Sequence, residues 1–210
     1  MTKHEPDTER LLNRAQDGDD AARRQLLTRH RVRLRQMVAV RLDRRMAARL
    51  DPSDVIQEAL MEAHAKLGDY LQERPVEFYP WLRAIAWQRL LKFQRRHLHA
   101  RKRSVLREEP QILPLPDESA TQLADRLAGK GASPSDHAAR SELRLRVQEA
   151  LARLSESDRE LLVLRYLEQM PLKEIACVLE TTEGAVKTRH VRALQRLHDW
   201  LSQGNTEDKS

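Results

Sequence analysis

Apolar residues recur at helical spacing along most of the chain. Leu11, Leu12 and Ala15 predict a helix over 8–16, closed by the turn Asp17-Gly18-Asp19. Ala22, Leu26, Leu27, Leu34, Val38 and Leu42 predict one long amphipathic helix from Asp20 to about Leu50, with one break near Asp43. Asp51-Pro52 reads as an N-cap followed by proline at the first helical position. From there Val55, Ala59, Ala63 and Leu67 step by four, and Gly68 is the expected stop. Pro75 marks a connection, and a further helix is expected from Phe78–Pro80 to about Arg103.

Residues 106–139 break the pattern. They hold Pro110, Pro114, Pro116, Pro134, Gly129 and Gly131, and only Ala120–Leu127 has a helical turn's spacing. About thirty residues is long for a connection inside one compact domain, so this segment is expected to be a flexible linker. Beyond it Leu143, Val147, Leu151 and Leu154 resume the helical step. Ser157 and Glu160 form a Ser-x-x-Glu capping box before Leu161–Leu167. Pro171 starts a short helix through Leu179, Glu180-Thr181-Thr182 makes a turn, and Thr182 caps a last helix over 183–201, with a frayed polar tail after it. The expected architecture is all-α, with two small helical domains at 8–105 and 140–201.

Composition narrows the class. The chain has 210 residues, with 6 glycines and 1 cysteine, and is rich in strong helix formers. Few glycines and few β-branched runs argue against a sandwich or a parallel α/β sheet. No apolar stretch reaches membrane-spanning length, and Met1–Arg10 lacks an apolar export core, so a cytoplasmic protein with no membrane insertion is expected. A lone Cys177 excludes a disulfide framework and a multi-cysteine zinc site; it is expected to be a small buried apolar residue. His97 and His99, two apart on a helix, point to different faces and are not expected to bind metal.

The net charge of +6 hides a banded distribution. Residues 51–77 carry seven acids (Asp51, Asp54, Glu58, Glu62, Asp69, Glu73, Glu77) against Lys66 and Arg74. Residues 78–107 carry nine bases and no acid, and residues 108–139 are acidic again. An acid-free run of that length repels itself and calls for an anionic partner. Within it stand five of the eight aromatic residues, Phe78, Tyr79, Trp81, Trp87 and Phe93, interleaved with Arg83, Arg89, Lys92, Arg95 and Arg96. Aromatic faces stack unpaired bases while cations follow phosphates, a combination suited to opened DNA. Phe78, Tyr79 and Trp87 are the better candidates for base contact, whereas Trp81, Leu82 and Ile85 share in filling a core. Asp54, Gln57 and Glu58 lie on one face of the preceding helix, which is either solvated or a docking surface for a basic partner.

Near the C-terminus, a short helix, a three-residue turn and a longer helix form a helix-turn-helix pattern. Ile175, Ala176 and Leu179 would pack against Val186, Leu194 and Leu197, leaving Lys187, Thr188, Arg189 and Arg192 exposed to a major groove. An ordinary helical hairpin with a solvated basic face is the competing reading. Glu180 stands where such turns often carry glycine, and His190 is expected to be neutral and partly exposed.

The segments DPSDVIQEALMEAHAKLGDY, FYPWLRAIAWQRLLKFQRR and LSESDRELLVLRYLEQMPLKEIACVLETTEGAVKTRHVRALQRL resemble bacterial sigma factors of the sigma-70 family, specifically the small two-domain extracytoplasmic-function type. The resemblance implies a region 2-like bundle over 8–105 and a region 4-like helix-turn-helix over 140–201. It implies that Asp54, Gln57 and Glu58 dock on core RNA polymerase. It places Phe78, Tyr79, Trp81, Trp87, Gln88, Lys92, Arg95 and Arg96 in the segment that opens and reads the −10 promoter element. It places Lys187, Thr188, Arg189, Val191 and Arg192 in the helix that reads the −35 element. The implied partners are core RNA polymerase and promoter DNA, with an anti-sigma factor as an open third, and no cofactor or metal is implied. Gln88 and Lys92 depart from the Asn and Asp more common in the family. A helix-turn-helix regulator acting without core polymerase is the alternative; it explains residues 140–201 equally well and the aromatic-basic band poorly. No paired carboxylates at metal spacing, glycine-rich phosphate loop or nucleophile set points to an enzyme.

Overall fold

The computed structural model describes residues 5–42, 51–99, 115–128 and 137–207, and among them there is no strand. The helices are α1 (Glu5–Gln16), α2 (Asp20–Arg29), α3 (Arg31–Arg41), α4 (Pro52–Glu73), α5 (Phe78–His99), α6 (Asp117–Ala128), α7 (His137–Arg153), α8 (Glu156–Leu162), α9 (Leu172–Val178) and α10 (Glu183–Glu207). They form two compact units. One holds α1 to α5, and the other holds α6 to α10 with the last two residues of α3.

In the first unit, the turn at 17–19 forms as its residues dictate. Gly18 takes φ 90°, and the Asp19 carboxylate caps α2 by accepting from the Ala22 N–H. The long helix expected from Asp20 instead breaks at His30, whose ring is buried beside Phe78 and Tyr79. The packing of that ring, rather than any helix-breaking residue, sets the break. The expected break at Asp43 lies outside the described residues.

Asp51 caps α4 through the Ser53 N–H, with Pro52 at the first helical position. That hydrogen bond holds the Asp51 carboxyl below its ordinary value. Gly68 does not end the helix. α4 runs one and a half turns further and stops at Arg74, which takes a left-handed φ of 40°. The stop is supplied by Arg74 and Pro75 together, since the residue before a proline resists the helical region. Along α4 the buried stripe is Val55, Ile56, Ala59, Ala63, Leu67, Tyr70 and Leu71, which packs chiefly on α5. Each large apolar side chain buried there contributes about 1.5–3 kcal/mol. α5 extends to His99, so the expected continuation to Arg103 lies outside the described residues, as do the side chains of His97 and His99.

The second unit contains a surprise for the linker. Asp117–Ala128 is a helix, longer than the turn the spacing allowed, and it packs on α7. Leu123 and Ala124 are fully buried, and Gln148 of α7 donates to the Thr121 hydroxyl. Its apolar positions are too few to signal a helix alone, and α7 completes them. The rest of the expected linker, apart from Leu115, Pro116 and the start of α7, lies outside the described residues.

The capping box is also displaced. Ser155, not Ser157, caps α8 by accepting from the Asp158 N–H. The Glu160 carboxylate turns inward instead. Both its oxygens accept from Arg41 at 2.7 Å, and Arg41 also reaches Glu168 at 3.0 Å, all three side chains being buried in this unit. A buried guanidinium needs such pairing to offset its desolvation. After α8 the chain loosens into a π-turn at Val163–Leu167. The final helix is longer than expected, since it continues through the supposedly frayed residues to Glu207.

Two substitutions test the backbone reading. Gly68 is exposed in mid-helix with open space where a Cβ would sit, so Gly68→Ala should raise stability by about 0.5–1 kcal/mol. Glu180 takes φ 50° in the turn between α9 and α10, so Glu180→Gly should relieve strain and stabilise by up to about 1 kcal/mol. Denaturant unfolding of the full chain measures both, and destabilisation by either would contradict the assigned backbone.

Candidate nucleic-acid interface

On α4, Asp54 and Gln57 are exposed as expected, but Glu58 is half-buried. Its carboxylate accepts from Arg89 of α5 at 3.3 Å, and Glu62 accepts from the same guanidinium at 2.5 Å. Lys66 bonds the other oxygen of Glu62 at 2.7 Å. Glu58 therefore ties α4 to α5 and is partly withdrawn from the exposed face of α4. Met61, on the same stripe as Asp54 and Gln57, stands 67% exposed in its place. An apolar residue at the seventh position from Asp54 was the signal for it.

α5 separates its aromatics into two groups. Phe78 and Tyr79 are only 2% and 3% exposed, which corrects their expected role as base-stacking residues. Phe78 packs against Tyr70, Trp81 and His30 with ring centroids about 5.5 Å apart. The Arg33 guanidinium covers the Tyr79 ring at 3.4 Å. Tyr70 donates to the Val76 carbonyl at 2.9 Å, and burial pushes its phenol up to about 12.

Trp81 and Trp87 are both half-exposed. Trp81 stacks one face on Tyr70 at 4.4 Å, and Arg83 lies 5.4 Å from the Trp87 ring. Gln88, Lys92 and Arg96 follow at steps of four on the exposed face, with Arg95 half-exposed beside them. Arg89 belongs instead to the carboxylates of α4. The structure thus brings Trp81, Gln88, Lys92, Arg95 and Arg96 onto one face, while Trp87 lies about 100° further round the helix, against Arg83.

In the second unit, α9 and α10 pack through Ile175, Ala176, Val186 and Leu197, all buried, while Leu179 and Leu194 are half-buried. Ala193 is fully buried as well. The Thr181 N–H closes the turn on the Ala176 carbonyl, and Thr182 caps α10 through the Ala185 N–H. Cys177 is half-buried rather than buried. Lys187, Thr188, Arg189, Val191 and Arg192 are all exposed on α10. His190 is half-buried against Tyr166, 3.2 Å from its hydroxyl, and burial lowers its pKa, which favours the neutral ring.

A groove of about 570 Å³ runs beside this helix, lined by Asp158, Gly184, Thr188, Arg189, Arg192 and Arg196 among others. Arg196 and Asp158 were missed in the sequence. Arg196 lies one and two turns beyond Arg192 and Arg189 on the same stripe, a spacing that was legible. Asp158 was hidden, because its role depends on α8 meeting α10.

Two family descriptions match this chain: sigma-70 region 2 over residues 26–99, and sigma-70 region 4 over residues 144–197. The ECF RNA polymerase sigma factor SigF of Caulobacter vibrioides is 31% identical over 197 residues, covering 94% of this chain and 95% of that one. The chain belongs to the sigma-70 family, in its ECF branch. The probable RNA polymerase sigma factor RfaY of Xanthomonas campestris is 28% identical over 166 residues, 79% of this chain but only 37% of that longer protein. The solved structure of CnrH in complex with the cytosolic domain of CnrY superposes with TM-score 0.50 at 25% identity, over 94% of this chain and 98% of that one. The region 2 match ends where α5 ends, and the region 4 match contains α9, the turn and α10 as far as Leu197. No helix among the described residues is long and apolar enough to cross a membrane, and no group of three potential metal ligands occurs among them.

The Glu62 bridge gives a pH-dependent signature. The Lys66 hydrogen bond, then the Arg89 one, holds the Glu62 carboxyl below its ordinary 4.5. A depressed carboxyl contributes stability that is present above the unfolded value and lost as pH falls through the folded one. Glu62→Gln should therefore be less stable than the parent at neutral pH, and the difference should narrow below pH 4.5. Urea unfolding across the acidic range measures it; a difference constant with pH would remove the bridge from the account.

Proposed function

We propose that this chain is a dissociable initiation factor that binds core RNA polymerase and directs it to promoters, with one module for the −10 element and one for the −35 element. The observation that carries this is the pair of exposed, basic helix faces in separate units, α5 and α10, in the order and at the spacing of regions 2 and 4. Neither module need bind tightly alone, because two linked modules gain affinity through effective concentration.

In this reading, Asp54 and Gln57, with Met61 between them and the helix end, meet the polymerase. A polar rim around an apolar side chain is a common docking arrangement. Trp81, Trp87, Gln88, Lys92, Arg95 and Arg96 handle the opened −10 strand, with the two indoles offering stacking faces and the cations following phosphates. Phe78 and Tyr79 support that surface from beneath. The Lys92 ammonium gives this face a positive charge where the family more often has a carboxylate, so its −10 preference differs from that of Asp-bearing members. Lys187, Thr188, Arg189, Val191 and Arg192 read the −35 duplex in the major groove. The chain performs no chemistry of its own in this scheme. It works in the cytoplasm, where polymerase and DNA are, and an anti-sigma protein is the natural regulator to seek.

Run-off transcription with purified core polymerase tests the function. Promoter-specific transcripts should appear only when the chain is added, and their absence with a matched core would argue for a regulator that acts without polymerase docking. Lys187→Ala and Arg192→Ala should each cost about 1–3 kcal/mol in −35 binding if they read bases, or weaken all sequences alike if they meet phosphates. The double variant Asp54→Arg/Gln57→Arg should weaken core binding by at least about tenfold without unfolding the chain, because neither side chain is buried. Unchanged core affinity would return that face to solvent.

A further inference from the structure

Arg189 and Arg196 are seven residues apart on α10 and are held by one carboxylate. Arg189 Nε donates to Asp158 Oδ1 at 2.9 Å, and an Arg196 terminal nitrogen lies 3.1 Å from Asp158 Oδ2. Arg189 also donates through its NH2 group to the Ser157 hydroxyl at 2.5 Å. The burial is asymmetric: the Asp158 side chain is 5% exposed, whereas those of Arg189 and Arg196 are 44% and 49% exposed. The carboxylate therefore lies beneath, and the guanidinium groups lie above it on the surface. Asp158 is not needed to cap α8, since Ser155 does that through its own hydroxyl.

The geometry points to Asp158 as a positioning residue for duplex recognition, one that fixes the arginines of α10 in the orientation DNA meets. This rests on the −35 reading proposed above. An unconstrained arginine samples many rotamers and loses that freedom on binding, whereas a guanidinium already pinned along one edge loses less. Arg189 spends its Nε edge on Asp158 and Ser157, which leaves its other edge for a ligand in the groove that it lines with Thr188 and Arg192. Each carboxylate oxygen is taken by one cation, which leaves little negative charge to repel a phosphate. Arg189, Arg192 and Arg196 follow at steps of three and four on a single stripe, so the pinned pair brackets Arg192. A positioned arginine discriminates base edges better than a mobile one, while a mobile one still attracts phosphate. The effect of Asp158 should therefore be on specificity more than on total affinity.

The test uses holoenzyme reconstituted from the full chain and purified core polymerase. The probes are a promoter duplex selected from a random pool by the parent holoenzyme, and the same duplex with its −35 segment scrambled. The ratio of the two affinities is the readout. Asp158→Ala should lower this ratio by about tenfold and leave the slope of binding against salt unchanged, since no cation is lost. Asp158→Asn, which keeps one acceptor oxygen, should fall between. In an Arg189→Ala/Arg196→Ala background, Asp158→Ala should change the ratio by less than about twofold, because positioning acts through those two side chains. A merely structural carboxylate would lower both affinities together and would act independently of those two side chains. If Asp158→Ala does not fold, Asp158→Asn and Ser157→Ala carry the test, and both should lower the ratio. An unchanged ratio in the Asp158 variants, with Arg189→Ala still reducing it, would overturn the positioning role alone. An unchanged ratio in Arg189→Ala would overturn the −35 reading of that residue, and the positioning role with it.

Discussion

The first unit depends on the fit between α4 and α5. α4 offers one apolar stripe from Val55 to Leu71, and nearly everything else about that unit follows from covering it. Leu82, Ile85, Ala86 and Leu90 of α5 are buried in the same core, as are Phe78 and Tyr79 at the helix start. Once those residues face inward, the 3.6-residue period leaves Gln88, Lys92 and Arg96 no choice but to face outward. The outward face of α5 is thus a consequence of core packing. The Arg89 fork onto Glu58 and Glu62 then fixes the rotation of the two helices about their contact.

The same device recurs where arginines are plentiful. A chain with 38 basic residues must keep some of them from competing for the wrong partner. Arg89 is held by two glutamates of α4, Arg41 by Glu160 and Glu168, and Arg189 with Arg196 by Asp158. These pairs differ in burial, and burial decides what each does. Arg41 is fully enclosed, so its pairing offsets the cost of desolvation. Arg189 is half-exposed, so its pairing orients a group that still meets solvent. Lys92, Arg96, Lys187 and Arg192, on the faces proposed to meet DNA, are exposed and stand outside such pairs.

Much of the fold was legible because helices advertise themselves locally. The Asp51-Pro52 start, the Gly18 turn and the Thr182 cap depend on nearest-neighbour geometry, and all form at the expected residues. The errors share a cause. Gly68 reads as a stop by local rules, yet glycine within a helix costs only about 1 kcal/mol, which the packing of Tyr70 and Leu71 outweighs. The α2–α3 break at His30 and the helix inside the supposed linker both depend on partners distant in sequence. In the capping box, Ser157 and Glu160 had suitable spacing, but Ser155 reached the helix end first, and Arg41 and Arg189 claimed the other two side chains.

The candidate site divides along the same line. The sequence by itself determined the class of the protein, the two helical modules, the acid-free aromatic band and the basic stripe of the last helix, because composition, periodicity and motif spacing are properties of the chain. Only the tertiary structure decided which members of each set are available. It buried Phe78 and Tyr79, left Trp81 and Trp87 at the surface, paired Glu58 with Arg89 and set Asp158 beneath two arginines. Exposure is a property of what packs against a residue, and what packs against it is contributed by chain far away in sequence.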